Sequence, residues 1–452
     1  MAVVYDDTIV AIATAAGEAG IGVVRLSGPQ ALTIGKRMFR ASSRECAFES
    51  HRLYHGHVID AGEVVDEVLV AYMKGPRSYT AEDVVEIHGH GGPAPLERIL
   101  RLAIGHGARL ANPGEFTLRA FVNGRLDLAQ AEAVADVIQA RSEASLRLAV
   151  NQLSGRLSSA VDQARRRILG VMAQLEANID FSEDDVPPAA ASGLVSELSL
   201  ALDELCRILQ AADEGILYRR GARVAIVGRP NAGKSSLLNA LLRTNRAIVT
   251  PIAGTTRDTI EESINLGGLP VVLIDTAGMT ETADPVEAIG IGRSRQAIEE
   301  AEAVVFVYDA SIGWTPQDEE LVPQGKPVLL VANKCDLVEN ALPCPLPEGE
   351  RILLVSALTG DGLAELEEAL RGRLAPHAAV DDILVNNLRH KTLLEEAAQH
   401  VRDAIGSVRE QRPADFISID LRAALGALGT ITGTEVSESL LDEIFSRFCI
   451  GK

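Results

Sequence analysis

The chain has 452 residues, too many for one hydrophobic core, so two to four domains are expected. Its composition, 47% hydrophobic and 23% charged, is that of an ordinary globular protein. The excess of 63 Asp and Glu over 43 Lys and Arg gives a net charge of −20, which excludes non-specific attraction to nucleic acid or anionic membrane; a local patch or a partner could still hold an RNA.

Five cysteines (Cys46, Cys206, Cys335, Cys344, Cys449) are odd in number and lack C-x-x-C spacing. They argue against a disulfide framework or a zinc ribbon and for a reducing, cytoplasmic setting. The N-terminus has no basic leader before an apolar core, and apolar runs such as Ala303 to Tyr308 are far short of a membrane span, so no membrane role is expected.

Residues 1–120 read as mixed α/β, with short strands at Thr8 to Ala13, Gly22 to Leu26, Val64 to Tyr72 and Val84 to Ile87. Gly17 to Gly22 loosely matches a dinucleotide fingerprint, but no helix follows, so the segment is expected to be a turn between strands. Glu86 to Gly92 carries His88 and His90 without a third metal ligand at a convincing spacing; a glycine-rich strand-to-helix turn is expected. From Leu126 the texture becomes helical. Ala164, Ile168, Val171, Leu175 and Ile179 line one face of an amphipathic helix, residues 181–188 break it, and another helix runs from about Gly193 to Ala212. Helices return at Asn387 to Arg409 and at about Glu435 to Phe448, where Thr432 and Glu435 fit a capping box. Neither helical half has an obvious core, so one helical domain interrupted by an inserted domain is the economical reading.

The insert carries the clearest chemistry. Arg223 to Val227 is a buried-type strand, Ser235 to Leu242 opens a helix, and between them stands Gly228-Arg229-Pro230-Asn231-Ala232-Gly233-Lys234-Ser235. Such glycines let backbone N–H groups face phosphate oxygens at a helix N-terminus; Lys234 is expected at the β- and γ-phosphates and Ser235, followed by Ser236, at Mg²⁺. Leu273-Ile274-Asp275-Thr276-Ala277-Gly278 ends a strand with an Asp for the magnesium shell and a glycine amide for the γ-phosphate. Asn333-Lys334-Cys335-Asp336 offers a carboxylate that accepts two N–H groups on the guanine edge, a contact adenine cannot make. Ser356-Ala357-Leu358 can place a backbone N–H near the guanine O6. Thr250-Pro251-Ile252-Ala253-Gly254-Thr255-Thr256-Arg257-Asp258 is a candidate first switch, in which Thr256, or else Thr255, is the second Mg²⁺ ligand. Where many small GTPases carry a water-positioning glutamine this chain has Met279, which cannot hydrogen-bond water usefully; Glu287 is the acidic candidate, or else a solvent-facing switch residue.

The phosphate loop with Asn231, the Gly254 to Asp258 run, Asp7 to Ala11, Ser78 to Asp83, Gly114-Glu115-Phe116, Leu126 to Ala133 and the ending Phe448-Cys449-Ile450-Gly451-Lys452 together resemble the MnmE (TrmE) family of tRNA-modifying GTPases over essentially the whole chain. The resemblance implies a multidomain α/β and all-α protein: an N-terminal tetrahydrofolate-binding, dimer-forming domain (1–120), a helical domain (121–219 and 376–452) and an inserted Ras-like P-loop G domain (220–375). It further implies a K⁺-activated GTPase, with Asn231, Thr250, Ile252 and Thr255 around the cation and Glu287 orienting water. Folate contacts map to Arg25, Glu82, Arg125 (where the family commonly has lysine) and Lys452, and Cys449 becomes a candidate functional thiol, against the alternative of a small semi-buried packing residue. A prenylation signal at Cys449 does not fit Gly451 and Lys452.

The implied function is installation of a carboxymethylaminomethyl or aminomethyl group on the wobble uridine (U34) of certain tRNAs. The one-carbon unit comes from 5,10-methylene- or 5-formyl-tetrahydrofolate, and a homodimer joins the FAD-dependent partner MnmG (GidA) in a heterotetramer. The competing reading is a regulatory GTPase in ribosome assembly. Its RNA-binding loop would have to be Gly426-Ala427-Leu428-Gly429, whose central residues are apolar rather than basic.

Overall fold

A computed structural model describes residues 6–43, 47–180, 191–245, 261–275, 298–338, 351–376 and 380–452. They form two compact units, Met1–Ala135 with Leu428–Lys452, and Asp136–Ala427.

In the first unit the chain runs through β1 (Ile9–Ile12), β2 (Ala19–Ser27), α1 (Ala31–Met38), β3 (Phe39–Ala41), β4 (Arg52–Asp60), β5 (Glu63–Met73), β6 (Val84–Gly91), α2 (Pro93–Gly105), β7 (Arg109–Leu110) and α3 (Glu115–Val122). The sheet order is β3-β4-β5-β6-β2-β1-β7, antiparallel except where β1 pairs with β7. Ile34 and Met38 of α1 and Leu96 and Ile99 of α2 pack with Val24, Leu26, Val70 and Ile87, so the two helices share one core with alternate strand positions. The expected turn at Gly17 to Gly22 is shorter: Gly17 takes φ +127°, and Ala19 to Gly22 already belong to β2. The glycine-rich turn expected at Glu86 to Gly92 is strand up to Gly91, with Gly92 as the cap of α2. His88 and His90 face carboxylates instead, His88 Nε2 lying 3.1 Å from Glu86 and His90 Nδ1 2.7 Å from Asp66.

The chain's last residues complete this unit. Gly114 (φ +69°) lies so close to Phe445 that a Cβ would sit 2.7 Å from its carbonyl oxygen, and the Phe116 amide donates to the Lys452 carbonyl at 3.0 Å. The final helix runs Glu438–Ser446 and is capped by Ser437, whose hydroxyl accepts from Leu440 N. The expected Thr432–Glu435 capping box is therefore displaced, because Thr432 ends the preceding helix Ala414–Thr432. Gly426 and Gly429 lie inside that helix, where their backbone cannot form a clamp loop.

Helix α4 (Leu128–Gln139) carries the chain out of the first unit, and helices α5 (Glu143–Leu153), α6 (Arg156–Asp180), α7 (Ala191–Leu209) and α8 (Ala212–Arg220) follow in the second. Then come β8 (Ala222–Val227), α9 (Lys234–Asn245), β9 (Glu261–Leu266), β10 (Leu269–Asp275), β11 (Ala303–Asp309), β12 (Val328–Asn333) and β13 (Ile352–Val355), with helix Leu363–Leu374 following. The six-stranded order β13-β12-β11-β8-β10-β9 is parallel except for the β9 edge. Every residue of β11 is buried, as expected of a central parallel strand covered on both faces. Helices α9 and Leu363–Leu374 cover one face through Leu237, Leu241, Leu366 and Leu370; Phe306, Tyr308 and Leu330 fill the other.

Arg167 of α6 reaches Glu197 and Glu204 of α7 at 3.0 and 2.9 Å, and α7 also packs on helix Leu388–Arg409, capped by Asn387. Where the chain enters and leaves the nucleotide-domain sheet the two crossings touch: a Cβ on Gly215 would be 2.1 Å from the Val385 oxygen. Among the described residues no helix is long and apolar enough to cross a membrane.

Candidate functional site

Between the end of β8 and the start of α9 the chain must reverse within six residues. It does so with left-handed backbone at Gly228 (φ +150°), Asn231 (φ +64°) and Gly233 (φ +92°). A side chain is excluded at both glycines, since a Cβ would lie 2.0 Å from Val307 O at Gly228 and 2.1 Å from Asn333 Nδ2 at Gly233. Lys234, 6% exposed, folds back over the loop and donates to the carbonyls of Gly228 (2.8 Å) and Arg229 (2.9 Å). Ser235 and Ser236 are exposed on the first turn of α9, and Ala232 is buried beneath the loop. The result is a helix N-terminus with an ammonium beside it, a ready anion site.

Two loops behind this turn are tied to it. Asn333 donates to the Ala232 carbonyl at 2.9 Å and accepts from Ala357 N at 3.1 Å. Lys334 (φ +66°) donates to the Asn231 carbonyl at 2.8 Å and to Asp309 Oδ2 at 2.5 Å. Burial raises the Asp309 carboxyl, but hydrogen bonds from Lys334 and Ser311 outweigh it and hold the group below the usual carboxylate range. Exposed Asp336 accepts from the buried Ser356 hydroxyl at 2.6 Å, and the same Ser356 oxygen accepts from Thr359 N, which fixes the loop on which Leu358 stands 86% exposed. Burial, then Asp336 and Asp361, push the Cys335 thiol up. Hydrogen bonds thus tie the phosphate loop, Gly228, Asn231, Ala232, Gly233, Lys234 and Ser235, to the loops that carry Asn333, Lys334, Asp336, Ser356 and Ala357.

Asp275 closes β10 in register with Ile226 of β8. Thr250, Pro251, Ile252, Ala253, Gly254, Thr255, Thr256, Thr276, Ala277, Gly278, Met279 and Glu287 lie outside the described residues. Two supporting groups were not anticipated: Asp309, and the fully buried Asp318, which accepts from Arg229 Nε at 2.7 Å and so fixes the phosphate-loop arginine.

The first unit holds a second cluster. Arg25 on β2 pairs with Glu86 Oε1 at 2.8 Å and reaches the Gly451 carbonyl at 3.5 Å. The guanidiniums of Arg25 and Arg125 lie 5.3 and 5.0 Å from the Tyr79 ring centroid, and Arg125 donates to the Tyr79 carbonyl at 2.6 Å. Burial, with Arg25 adding to it and Glu86 opposing, lowers the Lys452 ammonium from its usual range. Glu82 accepts from Ser27 Oγ at 2.6 Å and lies 3.4 Å from Arg119. Arg119, a residue the sequence did not single out, is completely buried among Asp7, Glu82 and Glu115. Cys449 is exposed rather than semi-buried, its carbonyl accepting from Gly114 N.

A strand, a glycine-bent loop and a helix that present backbone and lysine to phosphate, with a carboxylate-bearing loop braced beside them, define a P-loop GTPase. A family model described as the MnmE helical domain matches residues 128–449, and one described as the GTP-binding protein TrmE N-terminus matches residues 8–125. The tRNA modification GTPase MnmE of Desulforamulus reducens is 47% identical, covering 99% of this chain and 100% of its own; that of Chloroflexus aurantiacus is 49% identical with the same coverages. Among solved structures, Aquifex aeolicus Era bound to GDP and aluminium fluoride is 34% identical over 39% of this chain and 66% of its own, with a TM-score of 0.29. The chain belongs to the MnmE family of tRNA modification GTPases, and is a GTP hydrolase acting in tRNA modification.

Proposed function

We propose that this GTPase is activated by K⁺. With a flavin-dependent MnmG-type partner, it forms 5-carboxymethylaminomethyl- or aminomethyl-uridine at U34 of certain tRNAs from a tetrahydrofolate one-carbon unit. The observation that carries the folate half is the pair of guanidiniums, Arg25 and Arg125, over the Tyr79 ring, with the Lys452 ammonium close enough to Arg25 and Glu86 to feel their charges and Glu82 held by Ser27, two residues beyond Arg25 on β2. Cations suit the carboxylates of a folate tail, and an anchored carboxylate suits the N–H groups of a pterin.

For the nucleotide half, Ser235 and Thr256 would hold Mg²⁺, and Asn231, Thr250, Ile252 and Thr255 would hold K⁺. These donors are oxygens, as hard cations require, and the two that are described, Ser235 and Asn231, are exposed at the mouth of the phosphate loop. A bound cation there supplies fixed positive charge against the charge developing between the β- and γ-phosphates. Lys234 gives a second such charge, Asp336 selects guanine, and Glu287 orients the attacking water. Homodimerisation through the N-terminal domain and assembly with the FAD-carrying partner in a heterotetramer complete the reading. Mass spectrometry of tRNA nucleosides from cells lacking the chain tests it: the modified wobble uridine should vanish, and its persistence would overturn the proposal.

A further inference from the structure

Glu82 is held by more than its own environment requires. The turn that carries it passes through Ala81 in a left-handed conformation (φ +60°), and Asn123 fixes that turn by donating to the Thr80 carbonyl at 2.7 Å. The Glu82 amide donates to Thr80 Oγ1 at 3.3 Å, and the Thr80 and Ser27 hydroxyls are 2.6 Å apart. Ser27 also donates to Glu82 Oε2 at 2.6 Å. A hydroxyl has one proton, so once Ser27 gives its proton to the carboxylate, Thr80 must be the donor to Ser27. The protons therefore run one way, Thr80 to Ser27 to Glu82, in a ring that starts at the Glu82 amide and ends at its side chain. Thr80 and Ser27 are both 0% exposed, so no water competes for the relay.

The other side of the carboxylate faces Arg119 Nη1, 3.4 Å from each oxygen. Arg119 cannot follow a moving glutamate. Its guanidinium is fastened to the Asp7 carbonyl (3.0 Å), Asp7 Oδ1 (2.6 Å) and Glu115 Oε1 (2.9 Å), and Arg109 holds Glu115 Oε1 from beyond at 2.6 Å. Both groups named against the carboxylate, the Ser27 hydroxyl and Arg119 Nη1, are donors toward it. The 15% of its side chain that stays exposed is thus an acceptor-only surface with a set direction.

We propose that Thr80, Ser27 and Arg119 are positioning residues that present Glu82 as a fixed acceptor for a ligand edge carrying two adjacent N–H donors, the 2-amino-4-oxo edge of a reduced pterin. The proposal rests on the folate reading above. It assigns to Thr80 a chemical duty, proton direction, that a residue of the same shape cannot perform. Valine matches threonine in shape but lacks the hydroxyl; serine keeps the hydroxyl and loses a methyl.

The test is titration calorimetry on the full-length protein with 5-formyltetrahydrofolate and with its 2-desamino-2-methyl analogue. Thr80→Val should weaken 5-formyltetrahydrofolate about tenfold and reduce the preference over the analogue, whereas Thr80→Ser should bind within about twofold of the parent. A residue that merely fills space gives the reverse order, with the serine variant the weaker. Ser27→Ala breaks the relay one link later without added bulk and should reproduce the valine result; it also decides the matter if Thr80→Val does not fold, as judged by circular dichroism. If Thr80→Val and Ser27→Ala keep parental affinity and preference while Glu82→Ala loses binding, the positioning proposal is wrong and the folate reading stands. If Glu82→Ala binds as well as the parent, both fall.

Discussion

Asn333 spends both halves of its amide inside the protein, donating to the phosphate loop and accepting from the loop that follows β13. It is a brace, and the carboxylate proposed to read the base is that of Asp336, which accepts from the Ser356 hydroxyl. Exchange of Asp336 for Asn replaces an acceptor of two N–H groups by a group that donates as well. GTP affinity should fall about 100-fold, and xanthosine triphosphate, whose 2-oxo group accepts that donor, should become the better ligand in a competition assay. Lys234, Ser235 and Asp336 were legible in the sequence because their spacing relative to strand and helix defines them. Asp309, Asp318 and Arg119 were not, because each acts on a residue tens of positions away and no local pattern announces it. Tyr72 acts over a shorter separation: burial, reinforced by its hydrogen bond to Asp83, pushes its phenol up to about 12 from 10.0. The folded form keeps a proton that the unfolded chain releases near 10, so stability is full below that pH and declines as pH rises toward about 12. Urea titrations of Tyr72→Phe should show a shallower decline over that interval than the parent.

Elements were readable in proportion to their periodicity. The strand Ala222–Val227 and the helix Leu388–Arg409 lie within a residue of where the apolar run and the helical texture placed them. Helix α2 was announced only by the strand-to-helix turn expected before it; Pro93 and Pro95 hid its extent, although proline in a first turn costs no hydrogen bond. Strand β4 was hidden by its histidines and by Gly56, where a Cβ would lie 2.2 Å from Arg40 O. Close approach of backbones has the same cryptic character at α8. Gly215→Ala would force a methyl against Val385 and should lower stability by about 1–3 kcal/mol in thermal unfolding. Gly170→Ala in α6 meets nothing within 4 Å and should be neutral or raise stability by about 0.5–1 kcal/mol, which makes it the control.

For the molecule as a whole, charge and cation dependence are the useful observables. GTP turnover should be faster in K⁺ than in Na⁺ at matched ionic strength, and equal rates would remove the cation from the proposal. With a net charge of −20, the chain alone should bind tRNA weakly at physiological salt, leaving most of the RNA-facing surface to the partner; filter binding with and without that partner reads this directly.

The stitch between Phe116 and Lys452, and the close seat of Gly114 on Phe445, have a temporal side. A ribosome extending at about 5–20 residues per second makes residues 1–135 first and then the whole of the second unit, which takes on the order of tens of seconds, before residues 428–452 emerge. Throughout that interval the surface around the start of α3 that receives Phe445 is uncovered. The nascent N-terminal unit must therefore wait, incomplete, for a segment translated long after it. Limited proteolysis of stalled nascent chains should find this unit labile until the last helix has left the tunnel.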